Sequence, residues 1–286
     1  MEAVVTDPAD GWSWSKREHG QRPPQIDVSK PSVARGYDYL LGGKDNYAAD
    51  REAAEALLAI APSSRAAAIN NRRFLQRTVR YVAEHEGIEQ FLDHGSGLPT
   101  QENVHQIAQR LVPGSRVIYV DNDPTVLVHG GALLAQNEHT AVISADMRDI
   151  DGILGAPDVR RLIDFEKPVA VLFVSVLHCI PDSDDPGGLV RRIMDRVAPG
   201  SCLVLSHLVS ADPESRQKIT DFMLAASGGN WGRVRTVEEV TSWFDGLDVV
   251  SPGLVEVSRW RPYLDDRPQD TMEWIEYGGV ARKPAS

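Results

Sequence analysis

Residues 89–104, EQFLDHGSGLPTQENV, join a short apolar run to two glycines, Gly95 and Gly97, set one residue apart. The run ends in an acid, Asp93. Such a run followed by turn residues reads as a strand, and glycines at its end let another group lie against bare backbone. A Gly-x-Gly pair alone is a weak signal, so its meaning depends on what surrounds it.

Downstream, strands and helices alternate. RVIYVD (116–121) reads as a strand, and Asp123-Pro124 as a helix start, with Asp as cap and Pro in the first turn. TAVISAD (140–146) is a third strand. PVAVLFVSVLH (168–178) is apolar on both faces, as a central parallel strand covered by helices must be. Asp185-Pro186 begins a helix that Gly200 ends, SCLVLSHL (201–208) is a fifth strand, and Asp212-Pro213 opens the next helix. Thr236 with Glu239 forms a capping box. GLVEVSRW (253–260) and EYGGVARK (276–283) read as two last strands without a crossover helix, hence an antiparallel edge. The expected fold is α/β: a doubly wound, mostly parallel Rossmann-like sheet with an antiparallel edge strand and N-terminal helices.

Upstream, residues 31–82 carry helical periodicity. Val33, Tyr37, Leu40 and Leu41 make one face that Gly42-Gly43 stops, Asn46 is the expected cap of a second helix, and a third follows Pro62. A helix is also expected to begin near Thr100. Residues 1–25 are polar, apart from Trp12 and Trp14, and read as a tail without fixed structure. The expected organisation is a tail (1–25), a helical region (26–85) and a ligand-binding sheet domain (86–286).

The 286 residues are 42% hydrophobic and 25% charged, an ordinary globular composition. No apolar run approaches the about 20 residues of a membrane span, and the N-terminus lacks signal-peptide order, so a cytoplasmic location is expected. Cys179 and Cys202 sit in apolar runs without metal-site spacing, and no metal is expected. A net charge of −11 argues against a nucleic-acid partner. Arg65, Arg72, Arg73, Arg77 and Arg80 read as a solvated basic helix face, with contact to an anion as the alternative. A homo-oligomer is left open.

In open sheets of this kind ligands bind beyond the carboxyl ends of the strands. Asp93, Asp121 and Asp146 each end a strand at that rim. An acid after the second strand can take both ribose hydroxyls, and one after the third can accept from an adenine amino group, with Met147 against the ring. The alternative is that each acid only caps a helix. A dinucleotide fingerprint asks for a third glycine where Thr100 stands, and a carboxylate at Asp93 would repel a pyrophosphate but favour a cation. Charge therefore tilts the reading from NAD to S-adenosylmethionine (SAM).

LDHGSG, VIYVDNDP, SADMRD and VLFVSVLHCIPD resemble the four core motifs of class I SAM-dependent methyltransferases. SVARGYDYLLGGKDNYAADREAAE, NNRRFLQRTVRYV and YGGVARKP resemble, more narrowly, a bacterial SAM-dependent methyltransferase family with an added N-terminal helical region. The resemblance implies that Asp93, His94, Gly95, Ser96 and Gly97 lie at the methionine end of SAM. It also implies Asp121 on the ribose, Asn122 beside the adenine, Asp146 and Met147 at the adenine, and Ser175, Val176 and His178 near the sulfonium. It brings no acceptor with it.

His178 is the candidate catalytic base, with simple hydrogen bonding as the alternative. His207 reads as a core histidine. The block holding Tyr37, Tyr39, Asn46 and Tyr47 is expected to close over the cofactor, Tyr37 and Asn46 touching it, and to wall the acceptor pocket. The expected activity is methyl transfer to a small molecule. The rivals are a SAM sensor without turnover and a nicotinamide-dependent oxidoreductase.

Overall fold

Five strands run parallel: β1 (Gln90–His94), β2 (Arg116–Asp121), β3 (Thr140–Ser144), β4 (Ala170–Val174) and β5 (Cys202–Val209). The two-residue β6 (Asp248–Val249) and β7 (Val255–Glu256) and the long β8 (Ile275–Arg282) complete the sheet. The order is 3-2-1-4-5-8, with β8 antiparallel to β5 and both short strands on its outer side. The computed structural model describes residues 26–99, 102–133 and 137–285; the reading of 1–25, Trp12 and Trp14 included, lies outside them.

The antiparallel edge forms as the sequence predicts, with the short β6 and β7 rather than β8 outermost. β8 is an interior strand, and GLVEVSRW supplies only β7 before turning into a 3-10 segment, Val257–Arg259. The β8 residues Gly278, Val280 and Ala281 are buried, which an exposed edge would not allow. Asp248–Val249 lacks any run long enough to be read as a strand and forms only because β8 offers it a partner.

Three helices precede the sheet: α1 (Val33–Leu40), α2 (Ala48–Ile60) and α3 (Ser64–His85). The crossovers are α4 (Val104–Leu111), α5 (Pro124–Leu133), α6 (Ile150–Gly155) with α7 (Pro157–Leu162), and α8 (Pro186–Arg196). After β5 come α9 (Pro213–Ala226) and α10 (Val237–Thr241). Asp185 and Asp212 cap α8 and α9 as their sequence predicts, and Thr236 with Glu239 makes the capping box of α10. Two starts differ. α4 begins at Val104 behind an Asn103/Gln106 capping box, and Thr100 lies outside the described residues. α2 is capped by Tyr47 and Asp50, while Asn46 turns back to Asp38. Among the described residues no helix is long and apolar enough to cross a membrane.

Both faces of the sheet are covered, which is why its central strands are apolar throughout. Leu92, Ile118, Val171, Phe173 and Leu203 pack under α6 to α8. Their neighbours Phe91, Val117, Leu172 and Val204 face the opposite way, onto Phe74 and Val79 of α3 and Ile107 of α4. Trp260 closes this second layer, edge-on to Phe74 with ring centroids 5.7 Å apart. Each such side chain taken from water contributes about 1.5–3 kcal/mol.

Candidate active site

The chain order reverses between β1 and β4, and the crevice beyond their carboxyl ends is where an open sheet binds ligands. A cleft of about 670 Å³ lies there. Twelve of the predicted site residues line it: Tyr37, Asp93, Gly95, Ser96, Gly97, Asp121, Asn122, Asp146, Met147, Ser175, Val176 and His178. His94 and Asn46 do not. His94 is wholly buried and stacked on Phe173 at 4.6 Å, because successive strand residues face opposite sides of the sheet and Asp93 takes the crevice. Asn46 gives its amide to Asp38 Oδ2 (2.8 Å) and Gly43 O (3.1 Å).

The glycine loop has two functions. Gly95 and Gly97 both have left-handed backbone, φ +68° and +65°. A Cβ on Gly95 would stand 2.2 Å from Val176 Cγ2, so this glycine lets the loops after β1 and β4 meet. A Cβ on Gly97 would meet nothing within 4 Å, so here the bare backbone faces open space. Asp121 Oδ2 accepts from Gly97 N and Oδ1 from Asp123 N, each at 2.9 Å. Its carboxylate thus fixes the loop while facing the cleft. Burial raises its pKa to about 6 against those two bonds.

Asp93 is more strongly perturbed. Burial raises its pKa to about 7, with nearby Arg72 pulling it down and Asp121 pushing it up. Arg72 also lines the cleft and donates to Glu102 O (2.9 Å) and Asn103 Oδ1 (3.3 Å). The basic face read from the sequence is only partly solvated, and the arginines of α3 are spent separately. Arg77 is buried against Trp260 O, Val257 O and Asp266, Arg65 reaches Tyr39 O and Leu40 O, and only Arg80 makes an exposed pair with Glu84.

Asp146 is held by Arg148, whose Nε lies 2.9 Å from Oδ1 and whose Nη1 reaches Asp184 Oδ2 at 2.6 Å. That pairing keeps the Asp146 carboxyl below its usual pKa. His178 lies beyond β4 rather than on it, in the 3-10 turn Leu177–Cys179, and is buried against Trp231 and His207. Burial, then the charge of Arg235, lowers its pKa to about 3, so its ring is neutral. His207 is a satisfied core histidine, with Nδ1 2.7 Å from Leu208 O and Nε2 2.9 Å from Arg235 Nη1.

Helix α1 lies over this cleft. Arg35 makes a buried ion pair with Asp50 at 2.8 Å and donates to Thr125 Oγ1 of α5, and Ser32 bonds Asp123. Of the three tyrosines, only Tyr37 lines the cleft; Tyr39 pairs with Glu55 and Arg65, and Tyr47 is exposed beside Arg35. The Gly42-Gly43 turn is wrapped about Asp38, which accepts from Asp45 N and Asn46 while its own carbonyl takes Gly43 N.

A second cavity of about 110 Å³ adjoins the cleft and shares Tyr37, Ser175, His178 and Trp231 with it. Its walls are mostly apolar: Leu57, Ala68, Leu208, Phe222, Trp231 and Trp274. Glu276 of β8 is one of two carboxylates among them, with Asp50. Glu276 is 3% exposed, Oε1 accepts from Ser175 Oγ, and Oε2 has no partner. Burial raises its pKa to about 8, opposed by the hydrogen bond from Ser175. Ser175 is held at φ +58°, a strained conformation for a non-glycine residue. Ser206 Oγ donates to Asn71 Oδ1 (2.6 Å) and Asn71 Nδ2 to Tyr37 OH (3.0 Å), so a polar chain runs from β5 through α3 to α1.

A family model described as S-adenosyl methyltransferase matches residues 19–284. The chain belongs to this family. Its cofactor is SAM. A crystal structure from Thermobifida fusca, of a protein assigned as a methyltransferase, is 42% identical over 92% of this chain and 98% of that one, with a TM-score of 0.82. A DUF574 family protein from Streptomyces avermitilis is 37% identical over 91% and 100%, with a TM-score of 0.81. No curated protein matches. The cleft residues suit the cofactor of this family. Gly97 leaves a bare backbone cradle, Ser96 Oγ is buried without a partner, and Asp93 is an acid that a cation would ionise.

Proposed function

We propose that the chain transfers the methyl group of SAM to a small molecule seated beneath the N-terminal helices. The observation that carries this reading is the apolar cavity of about 110 Å³ opening on the cleft at Ser175 and His178. That is below the roughly 150 Å³ of a cavity that accepts benzene, so it holds at most one small ring and no polypeptide or nucleotide. When bound, SAM supplies an electrophilic methyl group. The chain's residues hold it, align the acceptor and keep water out.

In this reading Asp93 takes the ammonium and Arg72 the carboxylate of the methionine part, Gly97 gives the bare backbone, Asp121 takes the ribose hydroxyls, and Asn122 and Met147 flank the adenine. Asp146, already paired with Arg148, offers the adenine amino group its remaining lone pairs. Tyr37, Ser175, Val176 and His178 border the reacting end. The test is transfer of labelled methyl from SAM into a cell extract split by ultrafiltration. Label in the small-molecule fraction supports the reading; label only in protein or RNA overturns it.

Asp121→Ala should weaken S-adenosylhomocysteine binding by about 1.5–3 kcal/mol, the usual loss for hydrogen bonds to a charged group. Calorimetry reads this directly, and a preference of the parent chain for NAD over SAM would remove the assignment.

Asp93 makes cofactor binding pH-dependent. Its pKa of about 7 in the free protein must fall when an ammonium sits beside it. Binding then releases a proton below that pKa, and affinity rises with pH until about 7 before levelling. The slope cannot exceed about tenfold per pH unit for one group. Calorimetry in two buffers of different ionisation enthalpy should show the release, and Asp93→Asn should abolish it. Proton uptake would place the ammonium elsewhere.

A further inference from the structure

The apolar cavity holds more unpartnered polar groups than an apolar ligand would need. Glu276 Oε2, His178 Nδ1, Trp231 Nε1 and Trp274 Nε1 are buried without partners, and all four residues line it. Buried polar atoms are normally bonded, and each one left alone costs about 1–3 kcal/mol. Four around one cavity therefore point to a ligand with polar substituents on an apolar body. Asp50 also lines the cavity, but it is spent on Arg35 and on Tyr47 N.

We propose that Glu276 is the catalytic base of the reaction and that the acceptor is a neutral, single-ring aromatic carrying a phenolic hydroxyl. This rests on the methyl-transfer reading above. Glu276 stands beside Ser175, which lies on the wall common to both cavities, so a hydroxyl bonded to it is directed toward the cofactor cleft. Oε1 is fixed by Ser175 Oγ, and Oε2 is left to accept the acceptor's proton. The alternative base, His178, is neutral and starts from a pKa of about 3, too weak a base for a phenol. A pKa of about 8 for Glu276 is close to the operating pH and within reach of a phenol near 10. An amine is disfavoured because it would enter as an ammonium, which has no lone pair to attack the methyl carbon and would keep its proton in an ion pair with Glu276.

The step balances without a further reagent. A lone pair of the acceptor oxygen forms the new O–C bond to the methyl carbon. The S–C bond breaks with its electron pair remaining on sulfur, which cancels the sulfonium charge. The hydroxyl proton passes to Glu276 Oε2 and is later lost to water through the cleft.

The probes are p-cresol, toluene and benzylamine, titrated into the full chain with S-adenosylhomocysteine present, with tryptophan fluorescence reporting through Trp231 and Trp274. The parent should bind p-cresol at least about tenfold more tightly than toluene, the ratio that one hydrogen bond of about 1.4 kcal/mol gives. Glu276→Leu should erase that preference, and Glu276→Gln, whose amide oxygen still accepts, should keep it. With SAM, the parent should methylate p-cresol at a rate rising with pH toward a plateau above about 8. Glu276→Gln should lose about 10²–10⁴ in kcat, the usual span for general base catalysis, with p-cresol binding retained. Circular dichroism and S-adenosylhomocysteine binding check that both variants fold. Equal binding of p-cresol and toluene by the parent, which needs no variant, overturns the proposal. So does preferred methylation of benzylamine, or parental turnover by Glu276→Gln; either leaves small-molecule methyl transfer standing. If no probe binds and label moves only to macromolecules, the underlying reading itself fails.

Discussion

Gly97→Ala should leave a folded chain that binds S-adenosylhomocysteine about 30- to 150-fold more weakly, the equivalent of about 2–3 kcal/mol of steric overpacking. The two loop glycines are expected to part company. At Gly97 the added methyl enters open cleft, and the only cost to the fold is a left-handed alanine, about 1–2 kcal/mol. At Gly95 the methyl runs into Val176 at 2.2 Å, with Met147 Cε next at 3.3 Å. Gly95→Ala must therefore push apart the loops after β1 and β4 and lose fold stability before any ligand is considered. Chemical denaturation paired with calorimetry separates the two. If Gly97→Ala binds like the parent, the cofactor does not lie against that backbone. If Gly95→Ala is the more stable of the pair, the contact with Val176 gives way without strain.

Local signals were legible in the sequence because they act within a few residues. RVIYVD is a strand at its predicted bounds, and Asp185-Pro186 and Asp212-Pro213 start helices as an Asp cap and an N-terminal Pro require. The rim acids were legible because each lies within two residues of a strand end: Asp121 ends β2, Asp93 is the last but one of β1, and Asp146 follows β3 by two. His94 shows the limit of reading a motif as a block. Period-two alternation puts it opposite Asp93, a signal already present in the sequence.

What was missed depends on long-range placement. Arg72 is one of five arginines at helical spacing, and which of them meets the crevice depends on how the 22-residue α3 is rotated on the sheet. Trp231 and Trp274 lie outside helices and strands, with no pattern to mark them. Glu276 is separated from Ser175 by 101 positions. It looks like an ordinary outward charge on an edge strand until β8 is known to be interior.

Gly278→Ala should be the most damaging single methyl in the sheet, costing about 3–5 kcal/mol and lowering the thermal midpoint by about 6–15 °C. Gly278 pairs with Ser206 across the β5–β8 ladder. A Cβ there would sit 1.9 Å from Leu205 O, 2.8 Å from Leu205 C and 2.9 Å from Ser206 Cα. All three are backbone atoms of a strand buried along its whole length, so no rotamer change can relieve the clash. β8 would have to move away from β5, and it carries Glu276 two residues before the substitution. The same displacement would separate Glu276 from Ser175, so S-adenosylhomocysteine binding should suffer less than the p-cresol preference. Gly279→Ala is the control. Its Cβ meets Gly253 O and Leu254 Cδ2 at 3.0 Å, in a turn and a side chain that can give way, and its loss should stay near 1 kcal/mol. Denaturant melts of the two variants decide the matter. A Gly278→Ala chain within about 1 kcal/mol of the parent would mean that β8 slides easily on β5. The sheet would then not be what holds Glu276 at the cavity.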